Sequence, residues 1–117
     1  MGYAVDHEKW QRVRQMMERQ DLDTIVVRAP NNVLYLTNYW TMKGYDLAIF
    51  PREGDPTLLV IEPQFREAQR TAWNKDVRFF PFYHPGDPRP PMIRAVEMAV
   101  EVLRERKLDH CVGIELS

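Results

Sequence analysis

Histidine, cysteine and serine, which often serve as metal ligands or nucleophiles, are few in this chain and lie far apart in sequence. The three histidines, His7, His84 and His110, fall at the start of a helix, in a proline-rich loop and at the start of a strand. No two of them have the i, i+4 spacing of metal ligands on a helix. We therefore expect solvent-exposed histidines and no metal site.

Nucleophilic catalysis and nucleotide binding have as little support. Ser117 is the only serine, and Cys111, the only cysteine, stands in an apolar strand with no base near it in sequence. We expect Cys111 to be a small buried hydrophobic residue. The isolated turn glycines Gly44, Gly54 and Gly86 form neither a phosphate-binding loop nor a dinucleotide motif.

The segment from Tyr39 to Tyr45 combines aromatic side chains with one cation. Its sequence is Tyr39, Trp40, Thr41, Met42, Lys43, Gly44, Tyr45. An aromatic wall beside an ammonium group can hold an apolar side chain and a carboxylate together. The alternative is structural: Tyr39 and Trp40 cap the core, and Lys43 and Gly44 form a solvated turn.

Composition limits the class of protein. A chain of 117 residues, 44% hydrophobic and 28% charged, suits one globular domain with a single core. The formal charge of -1 is spread along the chain, and the arginines of the first helix read as its solvated face, so we expect no nucleic-acid partner. No secretory signal or membrane-span pattern is present, and we expect a cytoplasmic protein with no membrane partner.

The elements follow from periodicity and turn residues. A helix over about 6–20 begins at the N-cap Asp6, with Val5 and Trp10 as a hydrophobic staple. Strands are predicted over 24–27, 47–50, 58–61, 77–82 and 111–116, the second and third as a hairpin. A short helical turn carries Val33, Leu34 and Leu36, and a further helix runs from Pro63 to about Trp73.

The second half of the chain contains a stiff loop and the longest helical pattern. Five prolines between Pro81 and Pro91 predict an extended surface loop, or alternatively a subunit contact through Phe82 and Tyr83. The next helix covers 92–107, and we expect four of its residues to face inward: Ile93, Val96, Val100 and Leu103. Together the elements predict a three-layer α/β/α sandwich around a mixed sheet of about five strands.

One stretch resembles a known family. Asn32 to Tyr39, NVLYLTNY, is similar to the N-x-x-Y-L-T-G-[FY] segment of the N-terminal domain of the creatinase/prolidase/aminopeptidase P family, M24 metallopeptidases. Asn38 replaces the usual Gly, and a left-handed backbone would explain the exchange. The resemblance covers residues 1–117 as a single domain, whose fold in that family is described as ribonuclease H-like.

The resemblance implies that the chemistry lies elsewhere. In such enzymes a following catalytic domain of pita-bread fold, absent from this chain, holds Mn, Co or Zn, where present, on two Asp, a His and two Glu. Asp76 and Asp87 have nearly the spacing of the paired Asp ligands, but VRFFPFYHPG lacks the hairpin pattern, and too little chain follows for the other ligands. We expect both to be surface turn residues and this domain to bind no cofactor.

The resemblance also implies a role in assembly. The parent would be a metal-dependent Xaa-Pro aminopeptidase or dipeptidase, or a creatinase-like amidinohydrolase, forming a homodimer. This domain would contact the catalytic domain and form part of the neighbouring subunit's substrate pocket. The residues implied in that wall are Trp40, Lys43 and Tyr45, with Tyr39 and Met42.

Two alternatives stay open. The chain could be a stand-alone binding module of the same fold, which a reading frame ending at Ser117 would favour. It could also be a nuclease, if the acidic residues Asp46, Glu62 and Glu115 converge at strand ends.

Overall fold

A mixed five-stranded sheet organises the molecule. The computed structural model describes residues 4–42 and 44–115. The elements are α1 (His7–Arg19), β1 (Thr24–Val27), α2 (Pro30–Thr37), β2 (Leu47–Pro51), β3 (Thr57–Ile61), a 3-10 turn (Glu62–Gln64), α3 (Phe65–Thr71), β4 (Asp76–Phe80), α4 (Pro91–Glu105) and β5 (Val112–Ile114). The strand order is β4-β3-β2-β1-β5. The predicted α/β fold is confirmed.

The pairing follows the order of the chain. β1 to β3 form an antiparallel meander, while β4 and β5 join its two edges in parallel with β3 and β1. The predicted hairpin of β2 and β3 is therefore present. The strand predicted over 77–82 is β4, which lies at an edge of the sheet and already ends at Phe80. It stops before Pro81, whose nitrogen cannot donate to a neighbouring strand.

Two hydrophobic cores lie on opposite faces of the sheet. Residues of the central strands alternate between them: Phe50 and Leu58 pack with α1, α2 and α3, while Ile49 and Leu59 pack with α4. All ten residues of β2 and β3 are buried. Helices cover both faces, as expected for a three-layer sandwich.

The first two helices begin and end where local chemistry predicts. The Asp6 carboxylate accepts from the Lys9 amide at 3.2 Å, which caps α1, and Val5 packs against the core that contains Trp10. α2 begins at Pro30 and ends at Asn38, whose φ of 64° is left-handed. Asn38 therefore adopts the conformation predicted for the position where relatives carry glycine.

The helix predicted from Pro63 starts differently. Glu62 to Gln64 form a 3-10 turn, and α3 begins only at Phe65 and ends at Thr71. A proline near the start is compatible with either helix type, because both leave its nitrogen without a partner. The sequence pattern alone therefore did not separate the turn from the helix.

The inward face predicted for α4 is wrong for three of its four residues. Ile93, Val96 and Val100 are 39%, 47% and 38% exposed, and the buried residues are instead Ala95, Ala99 and Val102. Alanines let the helix lie close to the sheet, so the stripe with Ala95 and Ala99 is buried and the bulkier stripe beside it stays partly exposed. Leu103 is partly buried, as predicted.

The helices of the described residues are too short or too polar to span a membrane.

Candidate functional site

The loop between α2 and β2, residues 38–46, is called the site loop below. Trp40 and Met42 are 52% and 65% exposed, whereas Tyr39 between the loop and the core is 1% exposed. These three residues line a cavity of about 310 Å³, completed by α2, the 3-10 turn and α3 through Leu34, Asn38, Gln64, Glu67 and Thr71. Trp40 is the exposed aromatic side chain of this cavity, while Tyr39 is almost completely buried beneath it.

Hydrogen bonds fix where the site loop begins. The side-chain amide of Asn38 donates to the Thr71 carbonyl at 3.0 Å, and the Trp73 amide donates to the Thr37 carbonyl at 2.8 Å. The end of α2 is thereby tied to the end of α3. Because the left-handed turn at Asn38 is locked on both sides, Trp40 emerges from a defined point on the surface.

The middle of the site loop is held by its own polar groups. Thr41 is buried, and its hydroxyl accepts from the Gly44 amide at 2.9 Å. Gly44 has φ of 77°, a conformation that a side chain would strain. Lys43, predicted to supply the cation of the site, lies outside the described residues.

A buried carboxylate closes the site loop. Asp46 is fully buried, and its Oδ1 accepts from the Ile61 amide at 3.0 Å. Burial raises the pKa of Asp46 to about 6, although the hydrogen bond from Ile61 opposes the shift. The pKa of Tyr39 is also raised, by burial and then by the Asp46 charge, yet no hydrogen bond joins its hydroxyl to Asp46 Oδ2.

Tyr45 lies apart from the other aromatic residues of the loop. Its ring packs against Phe82 with the centroids 5.6 Å apart, in the core on the α4 side of the sheet. The structure therefore brings Tyr39, Trp40 and Met42 to one cavity and places Tyr45 in the opposite layer. Phe82 is half-buried by the same contact, while Tyr83 remains 77% exposed on the proline-rich loop.

The two aspartates examined as metal ligands have arginine partners instead. Asp76 is the first residue of β4, not a turn residue, and accepts from Arg78 at 3.0 Å and from the Thr57 hydroxyl at 2.6 Å. Burial favours a raised pKa for Asp76, but these two hydrogen bonds and the charges of Arg78 and Arg106 together lower it. Hydrogen bonds from Arg89 hold the pKa of Asp87 below its usual range.

The carboxylates considered for a nuclease do not come together. Asp46 is enclosed beneath the site loop, Glu62 opens the 3-10 turn, and Glu115 accepts from the amides of Arg28 and Ala29 at 2.6 and 2.7 Å. Within ranges 4–42 and 44–115 these three side chains form no group that could share a metal ion. The arrangement gives the nuclease alternative no support.

The structure does bring together three side chains that sequence reasoning kept apart. Asp23, His110 and Cys111 present potential ligand atoms within 4.8 Å of one another. His110 is exposed as predicted, but Cys111 is half-buried rather than buried. Parallel pairing of β1 with β5 brings these residues together, and no local pattern in the sequence predicts that pairing.

Comparison with known proteins agrees with the fold. Residues 9–117 match the family model described as the creatinase/prolidase N-terminal domain. The chain belongs to this family. No curated protein matches the sequence.

Solved structures similar to this creatinase/prolidase N-terminal domain share its fold at low identity. An aminopeptidase P from Streptococcus thermophilus superposes with a TM-score of 0.65 at 18% identity, covering 95% of this chain and 76% of its own. A Xaa-Pro dipeptidase from Bacillus anthracis gives 0.70 at 14%, covering 93% and 26%. The N-terminal domain of a Xaa-Pro dipeptidase from Lactobacillus brevis gives 0.66 at 16%, covering 92% and 75%.

Proposed function

We propose that this domain is a non-catalytic part of a creatinase/prolidase-like hydrolase and forms one wall of the substrate pocket in a neighbouring subunit. The similar structures are named as aminopeptidase P and Xaa-Pro dipeptidases, which favours a parent that hydrolyses Xaa-Pro bonds. The alternative is that the full-length protein is a creatinase-like amidinohydrolase. The parent would be a homodimer in the cytoplasm, where a chain with one cysteine needs no disulfide.

The exposure of Trp40 and Met42 on an anchored loop carries this proposal. Large apolar side chains in water are unfavourable unless something covers them, and here both project beside a cavity. Because Asn38, Thr41 and Asp46 hold the site loop from within, little conformational entropy is lost when a ligand or a second subunit contacts it. Such a surface suits an apolar substrate side chain.

The remaining residues of the site loop have different parts in the proposal. Lys43 follows Met42 in sequence and would supply the cation for a substrate carboxylate. Tyr39 supports the wall from below, and Tyr45 holds the end of the loop through Phe82. Trp40, Met42 and Lys43 are then the residues closest to substrate.

Catalysis itself is assigned to a partner domain. The described residues contain no grouped set of two Asp, a His and two Glu, so they do not fit the metal site of the parent enzymes. A metal ion bound in the catalytic domain, Mn, Co or Zn, would activate the attacking water there. The residues of this chain position substrate and help exclude water.

The test uses the full-length protein. Trp40→Ala is expected to lower kcat/KM for a Xaa-Pro substrate about ten-fold or more, because substrate contacts are lost. The same change in the isolated domain should leave its melting temperature almost unchanged, since Trp40 is half-exposed. Tyr83→Ala, which removes a still more exposed aromatic residue outside the site loop, is the control and should keep full activity. Unchanged kcat/KM in Trp40→Ala would contradict the proposal.

A further inference from the structure

Three side chains of different ligand chemistry meet where β1 and β5 begin. Asp23 precedes β1, and His110 and Cys111 precede β5. One carboxylate oxygen, one imidazole nitrogen and the thiol sulfur all lie within 4.8 Å of one another. Oxygen, nitrogen and sulfur ligands converge in this way at zinc sites in proteins.

The backbone holds two of the three residues in place. β1 and β5 run parallel with Thr24 opposite Val112, so Asp23 and Cys111 are neighbours at the start of the two strands. The Cys111 carbonyl accepts from the amides of Asp23 at 2.9 Å and Thr24 at 3.2 Å. The proximity of the ligands therefore follows from strand pairing rather than from flexible side chains.

A neighbouring arginine orients the carboxylate. The Arg52 guanidinium donates to Asp23 Oδ1 at 2.8 Å, and the Arg52 amide donates to the Asp23 carbonyl at 2.8 Å. Hydrogen bonds of this kind fix the direction of a ligating group. The Arg52 guanidinium bonds to Oδ1 and not to Oδ2, although its positive charge should weaken the binding of a cation.

We propose that Asp23, His110 and Cys111 form a zinc site at the start of β1 and β5. A tetrahedral zinc ion with bonds of about 2.0 to 2.3 Å keeps its ligand atoms about 3.3 to 3.7 Å apart. The ligand atoms lie within 4.8 Å of one another, and rotation of the exposed His110 side chain would bring them closer to that spacing. Three protein ligands leave a fourth position for water or a small anion.

The proposed ion would join an edge strand to the sheet. Within the part of the chain that the structure describes, β5 has three residues and pairs with β1 alone. Zinc bound to residues beside both strands should therefore raise the melting temperature of the domain. The site is separate from the site loop and does not depend on the proposed hydrolase.

Alkylation of the cysteine gives a direct test on the 117-residue chain. Cys111 is the only cysteine, so the rate of its reaction with iodoacetamide reports on this site alone. Zinc chloride at micromolar concentration is expected to slow the reaction at least ten-fold and to bind one ion per chain in calorimetry. His110→Asn should weaken zinc binding at least ten-fold, because it removes an exposed ligand without disturbing the core.

A second histidine variant serves as the control for zinc binding. His84→Asn removes another exposed histidine and should bind zinc as the wild type does. Circular dichroism without metal should show that both histidine variants are folded. Zinc binding by His110→Asn therefore tests the proposed site without a substitution at Cys111. The assignment would be overturned if zinc at 100 times the protein concentration left the alkylation rate unchanged. It would also be overturned if wild type and His110→Asn bound zinc equally.

Discussion

At the scale of single residues, Asp46 shows what the site loop depends on. Its carboxylate bridges the start of β2 to the Ile61 amide at the end of β3, in a place closed to water. An ionised carboxylate is costly there because only one of its oxygens has a hydrogen-bond partner. The protonated form is correspondingly favoured, which explains the raised pKa.

The raised pKa of Asp46 predicts a pH dependence with a definite sign. The folded chain holds the proton up to about pH 6, whereas the ordinary pKa is 3.8, so stability falls as pH rises through this window. Between pH 4.5 and pH 7.5 the loss from Asp46 should be about 2 kcal/mol. Urea denaturation of Asp46→Asn should lack this loss. Asp109→Asn, an exposed control, should follow the wild type, and parallel curves for wild type and Asp46→Asn would refute the assignment.

At the scale of elements, α4 shows how far periodicity reaches. Its sequence carries two adjacent apolar stripes, and both are compatible with an amphipathic helix. The stripe with Ala95 and Ala99 packs on the sheet because small side chains allow the closer approach. A hydrophobic pattern therefore identified the helix but gave the wrong face, since the pattern contains no information on the distance to the sheet.

Two valines on α4 test this orientation. Val102 is 1% exposed and Val100 is 38% exposed. Val102→Ala should lower the free energy of unfolding by about 1 to 3 kcal/mol, because it leaves a cavity in the core. Val100→Ala should change it by less than about 0.5 kcal/mol, as is usual for partly exposed positions. Chemical denaturation measures both, and a larger loss from Val100→Ala would mean that the helix is turned the other way.

At the scale of the whole molecule, both cores share the same strands. Leu58 and Leu59 are adjacent on β3 and fully buried, one facing α1 to α3 and the other facing α4. Unfolding either face would expose the backbone of strands that the other face needs. The two layers should therefore lose their structure together.

A matched pair of substitutions tests this cooperativity. Leu58→Ala and Leu59→Ala should each cost about 2 to 5 kcal/mol, through cavities on opposite faces. Far-ultraviolet circular dichroism and tryptophan fluorescence should still report one coincident transition in each variant. Two separated transitions in either variant would show that the layers unfold independently.

The sequence by itself determined the family, the order of the elements and several of their ends. The cap at Asp6 and the left-handed residue Asn38 both depend on neighbours within a few residues, so local patterns predicted them. Only the tertiary structure decided which face of α4 is buried, that Tyr45 is separated from Trp40, and that Asp23 meets Cys111. These three features depend on strand order and on packing between distant segments, which no local spacing encodes.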